Sequence, residues 1–277
     1  MTNTYLTRKG LVRDPDDSRD LLFSKIRDEM KSMGANDTTA DYDIDDSAIP
    51  IYDQEDEGSC ASNTAIGDLE ILQSLENRVK GVPQTPAVRL SRQFQYWAAR
   101  TLAGTQLMDA GSTCRANYKA LNVTGTCSEL SFPYNPAMML VSPGLAAYKE
   151  ASNNLLVAYY SIVDFDAQFC TDVETAIRAD HPVTIGTDVI AALDNYDGNP
   201  NTVFDPPSIY DTTAQGHALL IVGVRRVSSV RRWKIRNSWS KAWGINGYCF
   251  FSDAYLMSSL TTDSWVGTQM PQFRKAA

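Results

Sequence analysis

The sequence predicts an α+β protein with a helical first half and a β-rich second half, and three observations carry that reading. From Cys60 onward, Ala65, Leu69, Leu72, Leu75 and Val79 recur at three-to-four spacing, the period of one helix face. After residue 180 the texture shifts to short runs rich in β-branched and aromatic residues. At 277 residues the chain can also bury a real core, as one large domain or two packed lobes.

Residues 1–48 are polar and acid-rich, ending in Asp41-Tyr42-Asp43-Ile44-Asp45-Asp46. They read as an extended arm lying on the body, with one short helix over Leu21 to Met33. The main helix takes Ser59 or Gly58 as N-cap, which places Cys60 in its first turn, and Gly81 then Pro83 end it. A second helix is expected from the Ser91 cap to about Leu102, and a third over roughly Arg115 to Leu121. Ala146 to Asn153 and Asp172 to Ala179 are further helical segments. Strands are expected at Val183–Val189, His217–Val224, Arg232–Arg236 and Tyr248–Phe251, with a turn at Ser228-Ser229. Cys60 then lies on one lobe and His217 and Asn237 on the other, with a cleft between, a common place for a ligand site.

Net charge of −8 argues against a nucleic-acid binder, whose phosphate contacts need clustered Lys and Arg. The longest apolar run, Ala218 to Val224, is too short to span a bilayer, and the N-terminus shows no secretory h-region. No membrane or nucleic-acid partner is therefore expected. Five cysteines (60, 114, 127, 170, 249) with no CxxC pair, and only two histidines, argue against a metal site and point to a reducing, cytoplasmic compartment. Cys114, Cys127, Cys170 and Cys249 read as inert structural thiols, and His181, before Pro182, reads as a surface turn residue.

Cys60, His217 and Asn237 are the parts a thiolate nucleophile needs: attacker, base, and a group to orient the base. A helix N-terminus and a nearby imidazolium would both lower the thiol pKa. Gln54, six residues upstream, is close enough for its amide to join the Cys60 N–H in stabilising an oxyanion, and Trp239 is placed to shield the Asn–His hydrogen bond. Asp53, Glu55, Asp56 and Glu57 read as a solvated acidic loop beside the nucleophile, the alternative being a field that attracts basic peptides.

Three stretches resemble the papain-like cysteine peptidases, in that family's order: Asp53-Gln54-x-x-x-Gly58-Ser59-Cys60, Gly216-His217-Ala218-Leu219, and Trp233-x-Ile235-x-Asn237-Ser238-Trp239 running on to Gly247-Tyr248. Ile51 to Asn63, Leu90 to Tyr96, Asp109-Ala110-Gly111-Ser112, Cys127 to Tyr134 and Gly10 to Pro15 are similar to a bacterial and phage-type branch. The resemblance implies a two-lobe fold, with a helical left lobe (about 55–150) and a β-barrel-like right lobe (about 155–266). Together these form a peptidase domain over 49–277 behind the 1–48 arm. It implies Cys60 as nucleophile, His217 as general acid/base, Asn237 as orienter and Gln54 as oxyanion donor, with no cofactor. It also implies that Ala110, Gly111 and Ser112 pair with the substrate backbone, while Gly186, Ala218 and Trp239 wall the cleft. Ala61 and Glu57 depart from the family, which has Trp after the nucleophile and a half-cystine three residues before it. Loop 190–216, with Asp205-Pro206-Pro207 and Tyr210, is long and polar, a lid or a rim to the cleft.

The expected activity is hydrolysis of a peptide or protein substrate by a cysteine endopeptidase. The alternatives are a peptidase-like binding protein whose site is occluded by the long loop or the arm, and a thioester-forming transferase or deamidase.

Overall fold

A computed structural model describes residues 9–35, 37–82, 89–163, 165–206, 213–270 and 272. The helical half is built on α2 (Cys60–Val79), which is buried along most of its length, from Cys60 to Leu75. Helices α3 (Arg92–Ala103) and α4 (Cys114–Val123) pack beside it. Ser91 caps α3 by accepting from the Phe94 N–H, and Thr113 caps α4 by accepting from the Ala116 N–H, so each starts where a side-chain oxygen satisfies a free amide. Gly104, at φ 72°, ends α3 in the left-handed conformation. A short helix, α5 (Leu145–Ala151), follows, close to its expected place.

The second half is an antiparallel sheet in the order β2 (Ala158–Ser161), β7 (Thr261–Thr268), β3 (Val183–Ile190), β4 (Thr213–Val227), β5 (Val230–Arg236), β6 (Tyr248–Ser252). The two-residue β1 (Tyr42–Asp43) of the arm pairs with β4. The right lobe was expected to be barrel-like, yet the described strands form an open sheet whose outer strands, β2 and β6, do not pair with each other. Each outer strand is covered instead by irregular chain, Leu22 bridging Ser161 and Phe204 bridging Phe251. Helix α6 (Ala167–Arg178) begins five residues before the expected start, because Asp166 caps the Gln168 and Phe169 amides and brings Phe169 and Cys170 onto the buried face.

The arm is part of the core. Phe23 and Met30, the latter on α1 (Arg27–Met33), are fully buried, each burial contributing about 1.5–3 kcal/mol. Arg27 pairs with Asp172 on α6 at 2.7 Å. His181 is not a surface turn residue: it is buried, with Nδ1 2.6 Å from Ala179 O and Nε2 3.2 Å from Thr268 Oγ1. A polar ring with both nitrogens hydrogen-bonded can be buried at little cost, which turn propensity does not register.

In loop 190–216, Ala191–Asp194 form the short α7 and Phe204 is hydrogen-bonded to β6. Residues 207–212, with Pro207 and Tyr210, lie outside the described residues. No described helix is long and apolar enough to cross a membrane.

Candidate active site

Ser59 is the N-cap of α2, and Cys60 is its first residue, fully buried. Ser59 makes no side-chain cap bond; its Oγ lies 2.7 Å from Tyr134 Oη, and Asn63 Nδ2 donates to Ser59 O at 3.0 Å. Burial pushes the Cys60 thiol up from its ordinary pKa, opposed by the backbone N–H groups of Ala218 and Gly10.

His217 lies on β4 opposite Thr187 and is fully buried. Asn237 follows the end of β5, held by its N–H to Gly247 O (3.0 Å). Asn237 Oδ1 accepts from the Ser238 N–H at 2.8 Å, which fixes the carboxamide, so the 2.8 Å contact to His217 Nε2 is an Nε2–H donation. Nδ1 is the nitrogen left over, buried and without a hydrogen-bond partner among the described residues. The buried Trp239 indole stacks on the imidazole at 4.6 Å and 26°. Burial depresses the His217 pKa to about 3, the Asn237 bond opposing and the charge of Lys9 adding to the fall. Thiol and imidazole are thus both neutral in this state.

Gln54 reaches the same place because residues 52–54 pair with 238–240, through Gln54 N–H to Ser238 O (2.9 Å) and Ser240 N–H to Tyr52 O (2.8 Å). Its Oε1 accepts from Ser238 Oγ at 2.7 Å, and one N–H of Nε2 donates to Glu57 O at 3.0 Å. Glu57 is not a solvated residue of an acidic loop. It is 1% exposed, accepts from Gln93 Nε2 at 2.6 Å, and burial raises its pKa. Glu55 and Asp56 remain exposed.

The chain's own arm packs against both halves here, Gly10 against Gly58 and Leu11 against Gly216. Ser112 N–H donates to Gly10 O (2.9 Å), Val12 N–H to Ser112 O (3.2 Å), and Leu11 N–H to Gly216 O (3.2 Å). Of the stretch expected to pair with a substrate backbone, Ala110-Gly111-Ser112, it is Ser112 that pairs with the arm, bridging Leu11 in parallel register. Gly186 and Gly216 accommodate Leu11: a Cβ on Gly186 would lie 2.7 Å from Leu11 Cδ2 and 2.6 Å from Asp263 Oδ2. Ala218 is buried beside them, in register with Gly186. Lys9 and Asp194 of α7 form an ion pair at 2.7 Å, both side chains 1% exposed.

Sequence reasoning missed Lys9 to Val12, Asp194 and Asp263 as parts of this site. In the sequence Gly10-Leu11 stands out only as part of a motif, and no strand is expected where β7, which carries Asp263, lies. Its Thr261, Thr262, Trp265 and Val266 are the strand signal that would have found it. Among the described residues no group of three or more His, Cys, Asp or Glu is arranged to hold a metal ion.

A cysteine at a helix N-terminus and a strand-borne histidine hydrogen-bonded to an asparagine are the parts of a thiol hydrolase, and comparison identifies the family. The model of the papain family cysteine proteases matches residues 38–264, and the chain belongs to that family. It is 27% identical over 285 residues to an uncharacterized peptidase C1-like protein of Acanthamoeba polyphaga mimivirus, covering 96% of this chain and 88% of that one. A cysteine protease of Blomia tropicalis is 26% identical over 194 residues, 69% of this chain and 54% of its own. Among solved structures, xylellain, a cysteine protease from Xylella fastidiosa, superposes with a TM-score of 0.78 at 23% identity, over 96% of this chain and 97% of that one.

Proposed function

We propose that this chain is a cysteine endopeptidase held latent by its own arm. The observation that carries the reading is the pairing of residues 10–12 with Ser112 and Gly216, directly over a buried Cys60–His217–Asn237 set. With the arm displaced, the burial that keeps the thiol and the imidazole neutral is relieved, and proton transfer from Sγ to His217 Nδ1 becomes favourable at the head of α2.

The thiolate would then attack the scissile carbonyl carbon. The Cys60 N–H and the Gln54 amide would stabilise the oxyanion. Collapse would break the C–N bond as His217 passes its proton to the leaving amine, giving a thioester. Water, giving a proton to His217, would displace Sγ and release the acid. Ala110 to Ser112 would pair with the substrate backbone and Gly186 and Ala218 would wall its side-chain pocket, the places the arm now takes. Trp239 would act through His217 rather than on substrate. Five buried, unpaired thiols fit a reducing compartment.

The same arm favours a second reading, a peptidase-like binding protein whose site stays covered. Labelling with an epoxysuccinyl inhibitor separates the two, with Cys60→Ala and His217→Ala as controls. Labelling of the wild type at Cys60 with accompanying peptide hydrolysis supports the peptidase. A folded chain that is never labelled, even after limited proteolysis of the arm, rules it out.

A further inference from the structure

The two loops that build the cleft, 54–60 with the nucleophile and 109–112 facing it, are joined by no disulfide, since every cysteine is free. They are joined instead through one face of α3. Gln93, Tyr96 and Arg100 follow one another at spacings of three and four, so they line one side of the helix, and all three are buried.

Arg100 lies over the Tyr96 ring at 3.9 Å and donates to the carbonyls of Gln106 (3.2 Å), Met108 (2.5 Å) and Met139 (2.6 Å), which anchors the loop leading to Asp109. Tyr96 Oη donates to Asp109 Oδ1 and accepts from the Gly111 N–H at 3.0 Å. The Asp109 carboxylate, whose outer side is exposed, in turn accepts from the Gly58 N–H at 3.2 Å, two residues before Cys60. Gln93 takes hold of the same loop one residue earlier, donating to Glu57, whose carbonyl receives the Gln54 amide. The fit leaves no slack: a Cβ on Gly58 would lie 2.8 Å from Asp109 Oδ1 and 3.3 Å from Tyr96 Oη.

We propose that Tyr96 and Asp109 are positioning residues for the reaction, a polar tie that sets the distance between the oxyanion side of the site (Gln54, Cys60 N–H) and the strand (Gly111, Ser112) that would hold the substrate backbone. The inference rests on the proposed peptidase function. Its two links act differently. Asp109 bridges Tyr96 to the nucleophile loop, while Tyr96 alone also holds the Gly111 amide. Displacement of a reacting group by about 1 Å can cost on the order of 100-fold in rate, so loss of a tie this close to Cys60 is felt in turnover rather than only in stability.

The test uses full-length chain carrying Gly10→Ala to open the cleft, with Asp109→Ala, Asp109→Asn and Tyr96→Phe added singly. Steady-state kinetics on a fluorogenic peptide are read beside amide hydrogen exchange at residues 58 and 111. Asp109→Ala is expected to lower kcat about 10-fold with KM little changed and to speed exchange at Gly58. Asp109→Asn, which keeps an acceptor oxygen, restores kcat to within about threefold. Tyr96→Phe both lowers kcat and raises KM, and exposes both amides. A kcat unchanged in both Asp109→Ala and Tyr96→Phe, or losses that Asp109→Asn shares, would overturn the proposal. If the parent shows no turnover, it is the peptidase reading that has failed. The tie is then judged on exchange alone, where unchanged protection of Gly58 in Asp109→Ala overturns it.

Discussion

Gly10→Ala should open the cleft. A Cβ built on Gly10 would lie 2.0 Å from Gly58 O and 2.4 Å from Gly58 C, both backbone atoms at the start of a buried helix, so neither can swing aside. Cβ contacts of this kind need at least 3 Å, so the arm must retreat by about 1 Å or more. Three backbone hydrogen bonds lie within two residues of the substitution: Ser112 N–H to Gly10 O (2.9 Å), and those from Leu11 and Val12 (3.2 Å each). All would be lost together. At about 1 kcal/mol net apiece, the docked state loses about 3 kcal/mol, or roughly two orders of magnitude in the docked-to-open ratio. The assay is the rate of Cys60 alkylation by iodoacetamide, followed by intact mass, with a Gly10→Ala/Cys60→Ala chain to assign the label. A rise of about 100-fold is expected, with the thiol titrating at lower pH than in the wild type because the burial that raises its pKa is relieved. A rate within twofold of wild type in a folded variant would show that residues 9–12 do not control access to Cys60.

Lys9→Met should open the same cleft by another route. It leaves Asp194 buried without its cation, a loss of about 3–5 kcal/mol to the docked state, read as faster Cys60 labelling that is insensitive to salt between low and physiological ionic strength. Asn237→Ala removes the acceptor of the His217 Nε2–H while the Trp239 stack remains, so in an opened chain kcat should fall about 10- to 100-fold with KM nearly constant; a twofold change would sink the orienting role. Asp68, fully buried on α2 against the Tyr118 hydroxyl (2.6 Å), has its pKa pushed up to about 7 by burial, with the Tyr118 hydrogen bond opposing. Its folded-state pKa lies above the unfolded value, so the folded state binds the extra proton. Stability from this group is therefore greatest at low pH and is lost as pH rises from about 4 through 7, by about 4 kcal/mol in total. Asp68→Asn should flatten the dependence of Tm on pH between 5 and 8, and an unchanged slope would refute a buried neutral acid.

Much of the helical half could be read from the chain because its determinants are local. Ser91 announces its helix by capping, and the spacing of Leu69, Leu72 and Leu75 marks α2. The β-rich half was only partly readable. Strands β3 to β6 carry dense β-branched and aromatic runs, whereas β2 is only four residues long and β7 interleaves Asp, Ser and Gly with its Thr, Trp and Val, so both depend on pairing with each other and, for β7, with β3. His181 and Glu57 were misplaced for a related reason. Both are polar residues whose burial depends on partners, Thr268 and Gln93, that are distant in sequence.

The site divides along the same line. Sequence alone determined the chemistry on offer, a cysteine at a helix start with a histidine, an asparagine and a glutamine in a family order, because residue identity and short spacings encode it. Only the tertiary structure decided the state of that chemistry. Gly10 fits against Gly58, Lys9 finds Asp194 185 residues away, and the thiol and imidazole that sequence presents as a reactive pair are buried and neutral beneath the arm. Burial and long-range pairing set those protonation states, and neither is a property of any local stretch of chain.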